Sequence, residues 1–143
     1  MAGDNSTLQA IKHRFYAMRN GIVADTLRRA GASYRVIFGV NLPQLKEIAS
    51  DIGYDAELAR ELWANVSTRE SVLLAPMIMP EDDFTIDEAR RWIASAPSAE
   101  AIDVLCLRLL GRMPFARQIA DECLVAESEL MQYTAMRLRS YIS

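Results

Sequence analysis

Hydrophobic positions recur along most of this chain at the spacing of α-helices. Ala59, Leu62 and Val66 are a clear case, because residues three, four and seven positions apart share one face of a helix. No stretch of four or more residues alternates between apolar and polar side chains as a half-buried strand requires. The run 34–40 is the one strand-like segment, and it reads either as an isolated strand or as an ordered connection between helices. The pattern therefore predicts an all-α protein.

Capping residues indicate where these helices begin and end. Gly31 follows Arg28 and Arg29, so cations lie at a helix C-terminus and a glycine stands where the chain leaves the helix. Capping boxes, in which two side chains bond first-turn backbone N–H groups, are predicted for Ser67 with Glu70 and for Thr85 with Glu88. Further boundaries are predicted at Asn41–Pro43, Gly53, Asp55, Pro97–Ser98, Gly111 and Pro114, with a last helix from about Glu127 to Tyr141.

The rhythm of these boundaries predicts the architecture. About nine helices joined by short turns are typical of an α-α superhelix, in which antiparallel helix pairs of the HEAT-like or armadillo type stack side by side. The helix over 67–79 is apolar almost all round, so we expect it to be central, with Pro76 kinking it. We expect residues 1–143 to form a single domain.

Composition narrows the class of protein. Hydrophobic residues make up 51% of the chain and charged residues 24%, which is typical of a folded globular protein. No apolar run approaches the ~20 residues that span a bilayer, and no signal-peptide pattern opens the chain. We therefore expect a cytoplasmic protein without membrane partners, whose two cysteines, Cys106 and Cys123, are reduced and buried.

Charge is distributed unevenly around the net value of -3. Residues 1–50 carry seven Lys or Arg against three acidic residues, whereas the remainder carries nine Arg against sixteen acidic residues. A basic segment of this kind can face phosphate, although an acidic whole disfavours strong binding to nucleic acid. The main basic concentration comprises Lys12, Arg14, Arg28 and Arg29, and it is either a phosphate-contacting surface or a solvent-exposed one.

Common catalytic constellations are missing from the sequence. His13 is the sole histidine and lies among basic residues, so no Ser/His/Asp or Cys/His set can be assembled. No glycine-rich phosphate loop is present. The acidic run Glu81–Asp83 lacks the spacing of a calcium loop and is expected to be solvated. We expect neither a cofactor nor a bound metal.

Two blocks of residues carry a family resemblance. The first block comprises Tyr34, Phe38, Gly39, Val40, Pro43, Leu45, Lys46, Ile48 and Ala49; the second comprises Leu58, Ala59, Leu62, Trp63, Arg69, Glu70, Leu73, Leu74, Ala75 and Met77. In this order they resemble the bacterial DNA alkylation repair (AlkD-like) family of HEAT-repeat proteins. The resemblance covers roughly residues 10–110 and is weaker beyond them.

This resemblance implies a curved helical stack whose concave basic face holds duplex DNA. In enzymatic members it implies release of alkylated purines by cleavage of the N-glycosidic bond. A carboxylate and aromatic faces stabilise the oxocarbenium ion that develops in such a reaction. Family members place these groups in a "WWDxxD" helix and in a later helix bearing Trp and Arg.

The chain departs from that pattern at the catalytic helix. Residues 101–106 align with "WWDxxD", so that the first aspartate is retained as Asp103 and the catalytic aspartate position is occupied by Cys106. Both tryptophan positions are aliphatic. In the last helix Arg137 and Arg139 lie beyond the position of the family's "WxRR" segment.

The candidate nucleic-acid contacts are basic or aromatic residues, each with a structural alternative. They are Lys12, Arg14, Arg28, Arg29, Trp63, Arg69 and Trp92. The tryptophans adjoin apolar stripes and favour core packing. Asp103 is either a polar anchor of the concave face or a residue that favours a helix N-terminus.

Two functions follow from the sequence. The first is a non-catalytic HEAT-like scaffold that binds duplex DNA or a protein partner through its concave face. The second is a DNA N-glycosylase that releases alkylated purines, with Asp103 and a tryptophan supplying the missing groups. The terminal helix is in addition a candidate for pairing with a second copy to form a homo-oligomer.

Overall fold

The computed structural model describes residues 7–142, so residues 1–6 and 143 of the expected domain lie outside the described range. Within that range the chain forms nine α-helices and two short 3-10 turns, which confirms the predicted all-α class. The helices are α1 (Leu8–Ala17), α2 (Gly21–Arg29), α3 (Leu42–Ile52), α4 (Ala56–Ala64), α5 (Arg69–Ile78), α6 (Ile86–Ser95), α7 (Ala99–Arg108), α8 (Ala116–Leu124) and α9 (Glu129–Arg139). The 3-10 turns are Glu81–Asp83 and Leu110–Arg112.

Most predicted boundaries are confirmed by the caps that the structure shows. Asn41 caps α3 and forms a capping box with Gln44, with Pro43 in the first turn. The side chains of Asp55 and Ser98 accept first-turn hydrogen bonds at the starts of α4 and α7. Gly31 and Gly53 adopt positive φ values at the ends of α2 and α3. These ends follow local chemistry, which is why the sequence predicts them.

The capping box predicted for Ser67 and Glu70 is wrong. Thr68 is the N-cap of α5 and makes no side-chain cap bond, while the hydroxyl of Ser67 donates to Asn65. Glu70 instead binds the backbone of a distant connection. At α6 the hydroxyl of Thr85 accepts from the backbone N–H of Glu88, which is one of the two hydrogen bonds of the second predicted box.

Several other boundaries differ from the prediction. α7 ends at Arg108, and the 3-10 turn that follows it contains Gly111. α8 begins two residues after Pro114, and α9 is shorter than expected, running from Glu129 to Arg139. The strand-like run 34–40 is a connection between α2 and α3 that forms one isolated bridge, between Val36 and Thr68.

The chain divides into two compact units, the first ending at Met79 and the second beginning at Pro80. In the first unit α5 packs against α3 and α4 and, apart from Met77, is buried along its whole length, which confirms its predicted central position. In the second unit α9 packs against α6, α7 and α8. No helix in the described range is long and apolar enough to cross a membrane.

Candidate nucleic-acid interface

A buried ion pair organises the first unit. Arg69 and Glu70, adjacent at the start of α5, are 5% and 0% exposed at their side chains, with 2.7 Å between Arg69 Nη1 and Glu70 Oε2. The Glu70 carboxylate also accepts from the backbone N–H groups of Phe38, Gly39 and Val40 at 3.0, 3.0 and 3.3 Å. Arg69 Nη1 donates in addition to the carbonyl of Val40 at 3.1 Å. The pair therefore holds the connection before α3 by its backbone.

Gly39 fits where a larger residue would not. It has a φ of +85°, and a Cβ at this position would stand 2.2 Å from the backbone oxygen of Asn20. The backbone N–H of Asn20 donates to the carbonyl of Phe38, and the Asn20 side chain caps α2. The resemblance residues Phe38, Gly39 and Val40 therefore serve this close approach between the connection and the start of α2.

The predicted basic residues of the first unit lie on two helices. Lys12 and Arg14 are half-buried on α1, and Arg14 donates to Asp51 at 2.9 Å. Arg28 and Arg29 are exposed at the end of α2. Arg28 donates to the carbonyls of Tyr34 and Arg35, so part of its guanidinium holds the start of the 34–40 connection.

The aromatic candidates and Arg69 lie inside the protein. Trp63 is 3% exposed, and Trp92 is 4% exposed with its ring edge-on to Phe84 at 5.1 Å. Arg69 is 4% exposed and engaged by Glu70. Burial at this level supports the core-packing interpretation of both tryptophans and leaves these side chains no open surface for a base or a phosphate.

A second charged cluster lies in the second unit and is partly exposed. Asp103 on α7 faces α9, where its Oδ1 accepts from the Tyr133 hydroxyl at 2.7 Å and from Arg137 Nε at 2.8 Å. Arg137 Nη2 also donates to the Tyr141 hydroxyl at 3.0 Å. The side chains of Arg137 and Asp103 are 34% and 38% exposed, so solvent or a ligand can reach the cluster.

Electrostatics in this cluster stabilise the ion pair and the protonated phenol. The negative charge of Asp103 raises the pKa of Arg137 further above its usual range. The hydrogen bond to Asp103 raises the pKa of Tyr133, because the carboxylate favours the proton-bearing hydroxyl. At neutral pH Arg137 therefore keeps its positive charge and Tyr133 keeps its proton.

Cys106 lies one turn after Asp103 on α7 but points into the core. It is 0% exposed, and burial raises the pKa of its thiol from 9.0 to about 12. Cys123 on α8 is also buried, and its pKa is raised to about 11 for the same reason. Both thiols are free, as the sequence predicts, and both carry their protons at neutral pH.

Sequence reasoning missed the partners of Asp103. Tyr133, Arg137 and Tyr141 follow one another at intervals of four residues, which places them on one face of the last helix predicted from the sequence, although α9 itself ends at Arg139. An aromatic and basic stripe of this kind is the signal that could have pointed to them. It did not identify Asp103 as their partner, because that contact spans 30 residues to Tyr133 and 34 to Arg137.

Described residues of the second unit line two surface pockets. One, of about 240 Å³, is mostly apolar and has the Arg90–Glu122 ion pair on its wall. The other, of about 210 Å³, contains Arg117, Asp121 and Arg139.

Glu81–Asp83 form an exposed 3-10 turn. Within residues 7–142 no group of three or more His, Cys, Asp or Glu side chains is placed to hold a metal ion.

Comparison with known proteins identifies what this architecture is similar to. The family described as "DNA alkylation repair enzyme" matches residues 11–137. A solved structure described as "A new family of proteins related to the HEAT-like repeat DNA glycosylases with affinity for branched DNA structures" matches with a TM-score of 0.83 and 23% sequence identity. The match covers 92% of this chain and 55% of that one, so the chain spans about half the length of the matched protein. No curated protein matches.

Proposed function

We propose, from the premise that this chain belongs to the DNA alkylation repair enzyme family, that it binds DNA without releasing bases. The family match confirms the resemblance read from the sequence, and the solved structure supports the HEAT-like fold. One observation carries the non-catalytic part of the proposal. At the position that the resemblance assigns to the catalytic aspartate, the chain has the fully buried thiol of Cys106.

The chemistry of base release argues against this site as a catalyst. A cationic alkylated purine leaves readily if a negative charge and an aromatic face stabilise the developing oxocarbenium ion. The Cys106 thiol is neutral at pH 7, because burial raises its pKa to about 12, and it has no exposed surface. The nearby Asp103 carboxylate is already neutralised by Arg137. Neither group therefore offers an uncompensated charge to a substrate.

The first unit is the better candidate for contact with DNA. Exposed Arg28 and Arg29 and half-buried Lys12 place cations on its surface, and phosphate contacts supply most of the affinity of a protein for DNA. The second unit carries most of the acidic residues of the chain. The matched solved structure belongs to proteins with affinity for branched DNA, which makes branched DNA the first ligand to test.

The test is fluorescence anisotropy with plain, abasic and branched DNA over a series of salt concentrations. Affinity should fall steeply with salt, because each phosphate contact releases counterions. Arg29→Gln should weaken binding and reduce the salt slope by about one contact. Arg91→Gln is a matched control, because Arg91 is also an exposed helical arginine but lies in the second unit. Equal losses in both variants, or no binding at low salt, would refute this assignment.

A glycosylase centred on Asp103 is the second candidate function. Its support is the partly exposed carboxylate of Asp103 with an aromatic group bonded to it, although this group is Tyr133 rather than a tryptophan. This reading predicts release of methylated purines from alkylated duplex above a heat-inactivated control, and loss of that release in Asp103→Asn. If the wild-type protein releases no methylated purine, the glycosylase is ruled out and DNA binding is the function that remains.

Self-association through the last helix stays a prediction. The exposed residues of α9 are mostly polar, and Met136, at 59% exposure, is the large apolar residue among them. Light scattering at high concentration decides it: a dimer that Met136→Ser dissociates would support pairing through this helix, and a monomer throughout would rule it out.

A further inference from the structure

An exposed tyrosine with an arginine stacked on it lies at the end of α1. The Tyr16 side chain is 58% exposed although the guanidinium of Arg19 lies over its ring, 3.8 Å from the ring centroid. Arg19 Nη1 also donates to the backbone carbonyl of Tyr16 at 2.8 Å, which fixes the guanidinium in this position. One face of the ring is therefore covered, and the exposed surface lies on its other face and edge.

The same face of α1 carries further cationic and polar groups. Lys12 precedes Tyr16 by four residues, so the two side chains are neighbours on the helix surface. His13 is exposed and lies 3.3 Å from the amide nitrogen of Gln9. An aromatic ring with a fixed guanidinium on one side and an ammonium within one helical turn is a surface suited to a nucleotide.

We propose that Tyr16, backed by Arg19, is a stacking site for an unpaired base of bound DNA. This inference rests on the proposed DNA-binding function and names the structure in the DNA that the protein recognises. Bases within a duplex are already stacked on both faces, whereas an unpaired base has a free π-face that an aromatic side chain can cover. Because the guanidinium of Arg19 already covers one face of the ring, the Tyr16 side chain loses little conformational freedom when a base stacks on the other face.

The proposal predicts selectivity that a purely electrostatic surface lacks. Phosphate contacts are the same on a plain duplex and on the arms of a fork, so cations alone do not distinguish the two. A stacking residue distinguishes them, because only the fork offers unpaired bases. Tyr16 should therefore contribute to binding of forked DNA and not to binding of plain duplex.

The experiment measures the affinity of the full chain for a forked duplex and for a plain duplex of equal length. Tyr16→Ala should weaken binding to the fork roughly tenfold, the typical effect of losing one stacked base, and should change duplex binding less than about twofold. Tyr16→Phe should keep the affinity for the fork. In a fork with 2-aminopurine at the first unpaired position, the fluorescence of this base should be quenched by the wild-type protein and by Tyr16→Phe, but not by Tyr16→Ala.

Tyr54→Ala is the matched control, since Tyr54 is an exposed tyrosine of the same unit at 74% exposure. It should bind both DNAs as the wild type does, and thermal melting should show that both alanine variants fold. Equal weakening on fork and duplex, or unchanged binding by Tyr16→Ala, overturns the stacking site while DNA binding stands. Absence of binding by the wild-type protein overturns the proposed function and this inference together.

Discussion

Two pairs of arginine and carboxylate, one in each unit, show how burial decides what a charged cluster does. Arg69 and Glu70 are almost completely buried, and their polar atoms are bonded to each other and to the backbone of residues 38–40. Asp103 and Arg137 are about one third exposed and bond mainly to side chains. The first pair contributes to folding, whereas the second is accessible to a ligand.

The difference follows from the energetics of ions in proteins. A buried pair must satisfy every lone pair and N–H group, because the cost of removing two charges from water is otherwise not offset. Glu70 meets this requirement with three backbone amides and a guanidinium. A pair open to water has no such requirement and contributes little to stability, because solvent screens it.

The largest expected effect comes from breaking the buried pair. Glu70→Gln places an amide N–H₂ where the carboxylate accepted from backbone N–H groups and from Arg69, which is left buried without its counter-charge. The free energy of unfolding should fall by about 3–5 kcal/mol, as measured by urea denaturation. Glu47→Gln, at an exposed site on α3, should change it by less than about 0.5 kcal/mol. Similar results for both variants would contradict the folding role of the pair.

Alkaline pH should act on the second unit through its buried thiols. The pKa of Cys106 is raised from 9.0 to about 12, so the folded state keeps a proton that the unfolded state loses first. This contribution is fully present below pH 9 and is lost as the pH rises towards 12, at a cost of about 4 kcal/mol. Cys106→Ala retains only Cys123, whose pKa is raised less, to about 11. Denaturation at a series of pH values should therefore show a shallower loss of stability in Cys106→Ala than in Cys123→Ala. If stability falls with pH in the same way in both variants, the buried Cys106 thiol is not the cause of the alkaline loss.

Substitutions at Gly39 and Gly53 in the first unit distinguish destabilisation by backbone strain from destabilisation by close contact. Gly39→Ala introduces a Cβ 2.2 Å from the backbone oxygen of Asn20, whereas Gly53→Ala has nothing within 4 Å. Both have positive φ, so strain affects both, and contact should add roughly 1–3 kcal/mol for Gly39 alone. Urea denaturation of the two variants measures the difference. Equal destabilisation would mean that the connection can move away from α2.

The smallest effect is expected at the exposed pair. Asp103→Asn removes the carboxylate whose hydrogen bond and negative charge raise the pKa of Tyr133, so the alkaline titration of that phenol, followed by ultraviolet absorbance, should move to lower pH. Subtracting the titration of Tyr133→Phe isolates the signal. Stability should fall only slightly at neutral pH, because the pair is screened by solvent. A loss as large as that of Glu70→Gln would remove the contrast between the two clusters.

The sequence predicted most of the fold because helix ends depend on local chemistry. Asn41, Asp55 and Ser98 cap helices with side chains that reach only three residues along the chain. The capping-box prediction for Glu70 is wrong for the opposite reason. Its spacing from Ser67 fits a capping box, but its true partners lie about 30 residues earlier in the chain, where three amides need an acceptor.

The candidate site was less predictable for the same physical reason. Asp103 was found through the family resemblance, but its partners on α9 depend on how two helices pack. Burial is also a property of the folded chain. The apolar stripe beside Trp63 favours core packing, whereas no pattern in the sequence shows that Arg69 lies inside the first unit. The arginine stacked on Tyr16 is a local contact, yet the ring's exposure depends on what packs around α1.

Both cysteines of the chain lie in the second unit, so thiol labelling can detect conformational opening of that unit. A thiol reagent can modify Cys106 or Cys123 only when a fluctuation exposes the side chain, so the labelling rate measures the free energy of that opening. The first unit contains no cysteine and is silent in this assay. If labelling requires the same free energy as global unfolding, the chain folds as the single domain that its length predicts. If it requires less, the second unit opens on its own.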